Sequence, residues 1–206
     1  MKKLACLVLA ALLAVAGTAL AEYTPSKTTS DLANVSIEGE NIPEDADFHI
    51  DIVAANDEEY RELVQYCNSE IEKLASSESI ETYFGQVVDL EGSPVSLKAL
   101  LGTETLNVFE FCPLIASGYQ NAYGPVTLTM LFSTPYEKDE TVVVLFGVTV
   151  IGEDGAKYIH WIAVEGSGLG NVDGSVEMDG AIRIELSPDL IKAIENGNVL
   201  MAVVSK

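Results

Sequence analysis

Basic residues are scarce in this chain of 206 residues: eleven Lys and Arg stand against 32 Asp and Glu, for a formal net charge of −21. A surface that acidic repels phosphate backbones and anionic headgroups, which excludes nucleic acid as a partner. Among charged partners it favours divalent cations, basic peptides or basic wall components. Histidine occurs twice, tryptophan once and cysteine three times. There is no G-x-S-x-G and no glycine-rich phosphate loop, and no histidine lies near Cys67 or Cys112 in sequence. Nucleophilic and phosphoryl-transfer chemistry therefore have no motif to rest on. Beyond the N-terminus no apolar run reaches membrane-spanning length. The longest, Thr141 to Ile151, is about half of what a bilayer requires and reads as a buried strand, so no membrane insertion is expected.

The N-terminus is the most specific signal present. Lys2 and Lys3 lead into an apolar run from Leu4 to Ala16, and a small-residue stretch ends Ala19-Leu20-Ala21. A basic start, an apolar centre and an A-x-A site make a secretory signal peptide over residues 1–21. The expected location is secreted, extracellular. Cys6 lies inside the apolar run, too early to be a lipidated residue. Cleavage removes two of the few lysines, so the mature protein is more acidic still. Residues 22–34, rich in Thr, Ser, Lys and Pro, read as a flexible lead.

The remainder divides into an α+β portion, 35–117, and a β-rich portion, 118–206. In the first, Val35 to Ile37 reads as a short strand, and Phe48, Ile50, Ile52 and Ala54 alternate with polar residues as a half-buried strand. Asn56 is positioned to cap a helix with Glu59 as its capping-box partner. Tyr60, Leu63, Val64, Cys67, Ile71 and Leu74 then form one apolar face. Ser79 to Phe84 and Leu97 to Leu101 are short helices closed by Gly85 and Gly102. Leu106 to Cys112 is a strand that Pro113 is expected to break.

In the second portion Val126 to Phe132 alternates, and Thr141 to Ile151 is apolar on both faces, as a central strand would be. Lys157 to Val164 returns from a hairpin turn at Gly152-Glu153-Asp154-Gly155, and Asp173-Gly174 and Asp179-Gly180 mark further tight turns. Ser187-Pro188-Asp189 opens a last helix that Gly197 stops, and Asn198 to Val204 closes the chain as a strand. This spacing predicts an α+β protein whose C-terminal portion is an immunoglobulin-like antiparallel β-sandwich, without the Cys-Trp-Cys hallmark.

Candidate chemistry is sparse. His160 and Trp161 share a strand, and Glu165 falls on Trp161's face, where an aromatic ring beside a carboxylate would hold a sugar or raise an acid's pKa. Glu110, between Phe109 and Phe111, is a similar case if buried. Together these four are the candidate ligand face. Asp47, His49 and Asp51 share one strand face, but no further His or Cys cluster completes a metal set. The acidic turns, Glu137 to Glu140 among them, lack EF-hand spacing, leaving at most weak calcium binding. No cofactor and no metal site is expected. Cys67 and Cys112 are open to two readings: one disulfide closing a long loop, or two small buried hydrophobes.

Asp89 to Leu97 followed by Leu106 to Pro113 resembles the opening of thioredoxin-like exported redox proteins. The departure falls at the reactive dithiol, since Ile115 stands where the second cysteine of C-x-x-C would be. The chain as a whole is similar to small exported proteins of anaerobic Gram-positive bacteria, on the segments Glu22 to Leu32 and Leu200 to Lys206. That resemblance implies no activity and no site residues. The function expected is an exported, non-enzymatic binding protein for a protein or glycan. The alternatives are a small extracellular hydrolase using carboxylates near Trp161, and a structural surface subunit.

Overall fold

The computed structural model describes residues 35–206 except 54–55, 133, 153–154, 172–179 and 198. The expected signal peptide, the lead, and the turns at Glu153-Asp154 and Asp173-Gly174 lie outside the described residues. In chain order the elements are β1 (Val35–Glu38), β2 (His49–Ile52), α1 (Arg61–Ser76), α2 (Ile80–Phe84), β3 (Val87–Val88), β4 (Pro94–Val95), α3 (Leu97–Leu101) and β5 (Asn107–Ser117). A single 3-10 turn at Asn121–Tyr123 leads on to β6 (Val126–Phe132), β7 (Thr141–Ile151), β8 (Lys157–Gly170), β9 (Gly180–Leu186), α4 (Pro188–Asn196) and β10 (Val199–Ser205).

The main strands follow one hydrogen-bonded path, β1-β6-β9-β8-β7-β10-β5-β2, antiparallel at every step. Its two end strands, β1 and β2, approach each other, so the sheet is nearly closed. The β-rich, antiparallel α+β class expected from sequence holds. The two separate sheets of an immunoglobulin-like sandwich find no support in this single ladder. Strands of both portions of the chain share this ladder: β5 lies beside β10, and β1 beside β6.

The path explains the burial pattern. Every residue of β10 is buried, because it lies between β7 and β5 with side chains packed on both faces of the sheet. The burial of each Val or Leu there contributes about 2 kcal/mol. One apolar cluster gathers side chains from β2, from β5 through β10 and from α4, and therefore fills the concave side. Leu190, Ile191 and Ile194 of α4 belong to it. The second cluster lies on the convex side, where α1, α2 and α3 cover β5, β10, β7 and part of β8. The rest of the convex side, on β6 and β9, is polar: Thr127, Thr129, Arg183 and Glu185 face outward.

The local signals set most element ends. Ser79, Ser96 and Ser187 each cap a helix by accepting from the backbone N–H three residues on. Asn56 does not cap α1. Asp57 Oδ1 takes the Glu59 N–H at 2.9 Å, which holds that segment in a turn, and the helix starts at Arg61 with no side-chain cap. Pro113 does not break β5, and the reason is directional. Within a strand the N–H and C=O of one residue point to the same side. The Pro113 carbonyl accepts from Val53 N at 3.0 Å, just past the end of β2, so its missing donor costs nothing toward β10. Gly118 turns the chain out of β5 with φ +79°, and a Cβ there would collide with the Asp47 carbonyl.

Cys67 and Cys112 are free thiols, both buried. Cys67 packs from α1 onto the convex side of β5, with Sγ 3.9 Å from the Phe111 carbonyl oxygen. Cys112 points into the concave core, so the backbone of β5 stands between them. Burial, and then the charge of Glu70, pushes the Cys67 thiol up to about 12; burial pushes Cys112 well above the ordinary range. We expect a thiol reagent at neutral pH to label neither cysteine in the native protein and both in denaturant. A disulfide would leave both unlabelled in denaturant until reduction.

Candidate functional site

Trp161 is the natural starting point, as the one tryptophan in the chain. It lies on β8 directly opposite Gly147 of β7, with its ring on the convex side under α2. Phe84 meets it edge-on at 4.8 Å and 89°, and Tyr83 and Phe111 lie at 6.1 and 6.0 Å. Only 3% of Trp161 is exposed. The glycine is what admits the ring, since a Cβ at 147 would stand 2.7 Å from it.

Above this aromatic floor, between α1, α2 and the free end of the β7–β8 hairpin, opens a cleft of about 830 Å³. That volume lies within the usual range for small-molecule and cofactor sites. Glu70 is its most unusual lining residue. The α1 stripe of Leu63, Val64, Cys67 and Leu74 is continued by this carboxylate, 4% exposed. Lys73 Nζ donates to Oε1 at 2.6 Å, and Tyr83 Oη donates to Oε2 at 3.1 Å. Both oxygens are thus held, one from a side chain that is itself largely in water and one from the aromatic floor.

The influence of this carboxylate is legible on its neighbours. The Tyr83 phenol is pushed far up, first by burial and then by the Glu70 charge. Tyr66 is raised chiefly by burial, against a hydrogen bond with Thr149 across the cleft that lowers it. Lys73 is raised by its hydrogen bond to Glu70. Opposite α1, Lys157 and Ile159 line the hairpin wall. The site therefore combines an aromatic floor, hydroxyl groups on both walls and a fixed carboxylate–ammonium pair.

Of the four residues expected on a ligand face, the structure places one here. Trp161 lines the cleft. His160, next in the strand, is exposed on the other face. Glu165 does share Trp161's face, but it lies exposed beyond the cover of the helices, in a shallow hollow of about 270 Å³ with Arg183 and Glu185. Glu110 is buried at 7% exposure and lies outside this cleft. Its Oε1 accepts the Thr134 hydroxyl at 2.5 Å, near the buried Tyr136. His49 sits 3.7 Å from Asp51 and near Ser117 on open surface. Among the described residues no three His, Cys, Asp or Glu side chains gather as a metal site, and no helix is long and apolar enough to cross a membrane.

No sequence motif marks Glu70, Lys73, Tyr66 or Tyr83. One signal was available: Glu70 falls three residues after Cys67 and four before Leu74, on a stripe otherwise apolar.

These buried acids fix the alkaline behaviour. Cys67, Cys112, Tyr83 and Tyr136 all keep their protons to higher pH when folded than when unfolded. Above the ordinary thiol value of 9.0 the unfolded chain binds fewer protons than the native one, so stability falls as pH rises. Each such group removes about 1.4 kcal/mol per pH unit once its unfolded-state pKa is passed. Urea unfolding from pH 8 to 10.5 is expected to show a steadily falling midpoint. A flat midpoint would contradict these burials.

Comparison with family models, with curated proteins and with solved structures finds no match to this chain.

Proposed function

We propose that the chain is an exported, non-enzymatic binding protein whose ligand occupies the cleft between α1, α2 and the β7–β8 hairpin. The observation that carries this reading is Glu70. A carboxylate on the buried stripe of a helix is disfavoured unless it is compensated. Here it is compensated by Lys73 and Tyr83 at the wall of an aromatic-floored cleft. The binding reading is favoured over hydrolysis because both Glu70 oxygens are already engaged, while the acids expected to act with Trp161 lie elsewhere. Export rests on the basic, apolar and A-x-A pattern of residues 1–21.

Thermal unfolding across glycan and peptide ligands tests the reading. A ligand bound only by the folded state, at 100 times its Kd, stabilises by about 2.7 kcal/mol. That gain is expected to come with a change in Trp161 emission and to shrink in Glu70→Gln. Stabilisation that leaves Trp161 emission unmoved and survives in Glu70→Gln would place the ligand elsewhere.

A further inference from the structure

We infer that the cleft takes a neutral, hydroxyl-rich ligand, namely a short segment of neutral oligosaccharide. This rests on the reading of the cleft as the binding site and concerns what the site selects.

Charge is the first argument. The ionisable carboxylates and ammoniums on the cleft wall are two of each sign, Glu62 and Glu70 against Lys73 and Lys157. The one buried charge among them, Glu70, is already matched by Lys73 at 2.6 Å. A cation drawn to Glu70 competes with Lys73, and an anion drawn to Lys73 competes with Glu70. An anion also approaches against a chain of net charge −21. A neutral ligand does neither.

The polar inventory is the second argument. Lys73 is the accessible half of its pair with the buried Glu70, so it presents its remaining N–H donors at a position that Glu70 fixes, which suits the hydroxyl oxygens of a ligand. Hydroxyls also stand on facing walls, Tyr66 on α1 and Thr149 on β7, with Thr82 beside α2's ring pair. The floor is the third argument. Tyr83 is the half-buried ring of this floor, packed edge-on against Phe84 and tilted over the buried Trp161, and it offers an apolar surface for the C–H face of a sugar ring. The elongated neutral ligand that satisfies all three is a chain of hydroxylated rings, and about 830 Å³ accommodates a short one.

The test titrates the exported protein with three oligosaccharide series of matched length: neutral (glucose, mannose and N-acetylglucosamine oligomers), anionic (galacturonic acid oligomers) and cationic (glucosamine oligomers). Heat and Trp161 emission are the readouts. A neutral series is expected to bind saturably with a Trp161 response. Affinity should fall about tenfold or more in Glu70→Gln and several-fold in Tyr66→Phe, which removes one hydroxyl and leaves the ring. Glu185→Gln, on the distant hollow, should leave it unchanged. Binding of a charged series in preference to all neutral ones, with the same Trp161 response, overturns the ligand class and leaves the cleft as the site. Failure of every sugar series, with a peptide instead moving Trp161 emission, does the same. Neutral sugar binding that ignores both cleft variants overturns the cleft reading as well.

Discussion

Replacing Gly147 with valine is expected to lower the thermal midpoint by roughly 5–10 °C and to shift Trp161 emission to the red. The cause is cross-strand. Gly147 stands directly opposite Trp161 in the β7–β8 ladder, and even a bare Cβ there would stand 2.7 Å from the indole and 2.8 Å from Ile159. The ring has no room to retreat, because Phe84 closes on it edge-first at 4.8 Å and Phe111 lies at 6.0 Å. Overpacking of this kind costs about 2–3 kcal/mol, which corresponds to that shift for a chain of this size. Valine's better strand propensity offsets only a fraction. Circular dichroism for the midpoint and emission for the ring report the two halves of the effect. A variant as stable as wild type, with unchanged emission, would contradict the seat described for Trp161.

Replacing Glu70 with methionine is expected to separate stability from binding. Methionine continues the apolar stripe of α1 and removes the cost of holding a carboxylate at 4% exposure. Lys73, already mostly in water, loses a partner at little cost. Tyr83 loses its acceptor, at about 1 kcal/mol. These terms nearly cancel, so the variant should unfold within about 1 kcal/mol of wild type while ligand affinity drops tenfold or more. A residue kept only for the fold would behave otherwise: its loss would lower stability and leave binding of the surviving native protein intact.

Much of the fold was legible because its signals are local. Ser79, Ser96 and Ser187 carry cap chemistry within three residues of the group they bond, and the two-sided apolar run of Thr141 to Ile151 announces a central strand. The sheet order was not legible. That β10 enters between β7 and β5, or that β1 pairs with β6, depends on contacts far apart in sequence, which leave no periodic mark. The same limit governs the site. Period-two alternation correctly puts Trp161 and Glu165 on one face of β8. It says nothing of where along the strand the helical cover ends, and that edge makes Trp161 a cleft floor and Glu165 open surface. Glu70 was hidden differently: a single carboxylate between Cys67 and Leu74 reads as the wet edge of the stripe until Lys73 and Tyr83 are seen to hold it.

The most direct measurement is the emission of Trp161 in wild type and Glu70→Met, titrated in parallel with a neutral oligosaccharide series. The account predicts a saturable change in the wild type and little or none in the variant over the same range, with both proteins folded to the same temperature within a few degrees. Equal responses in the two proteins, or calorimetric binding that leaves Trp161 silent in both, would contradict it.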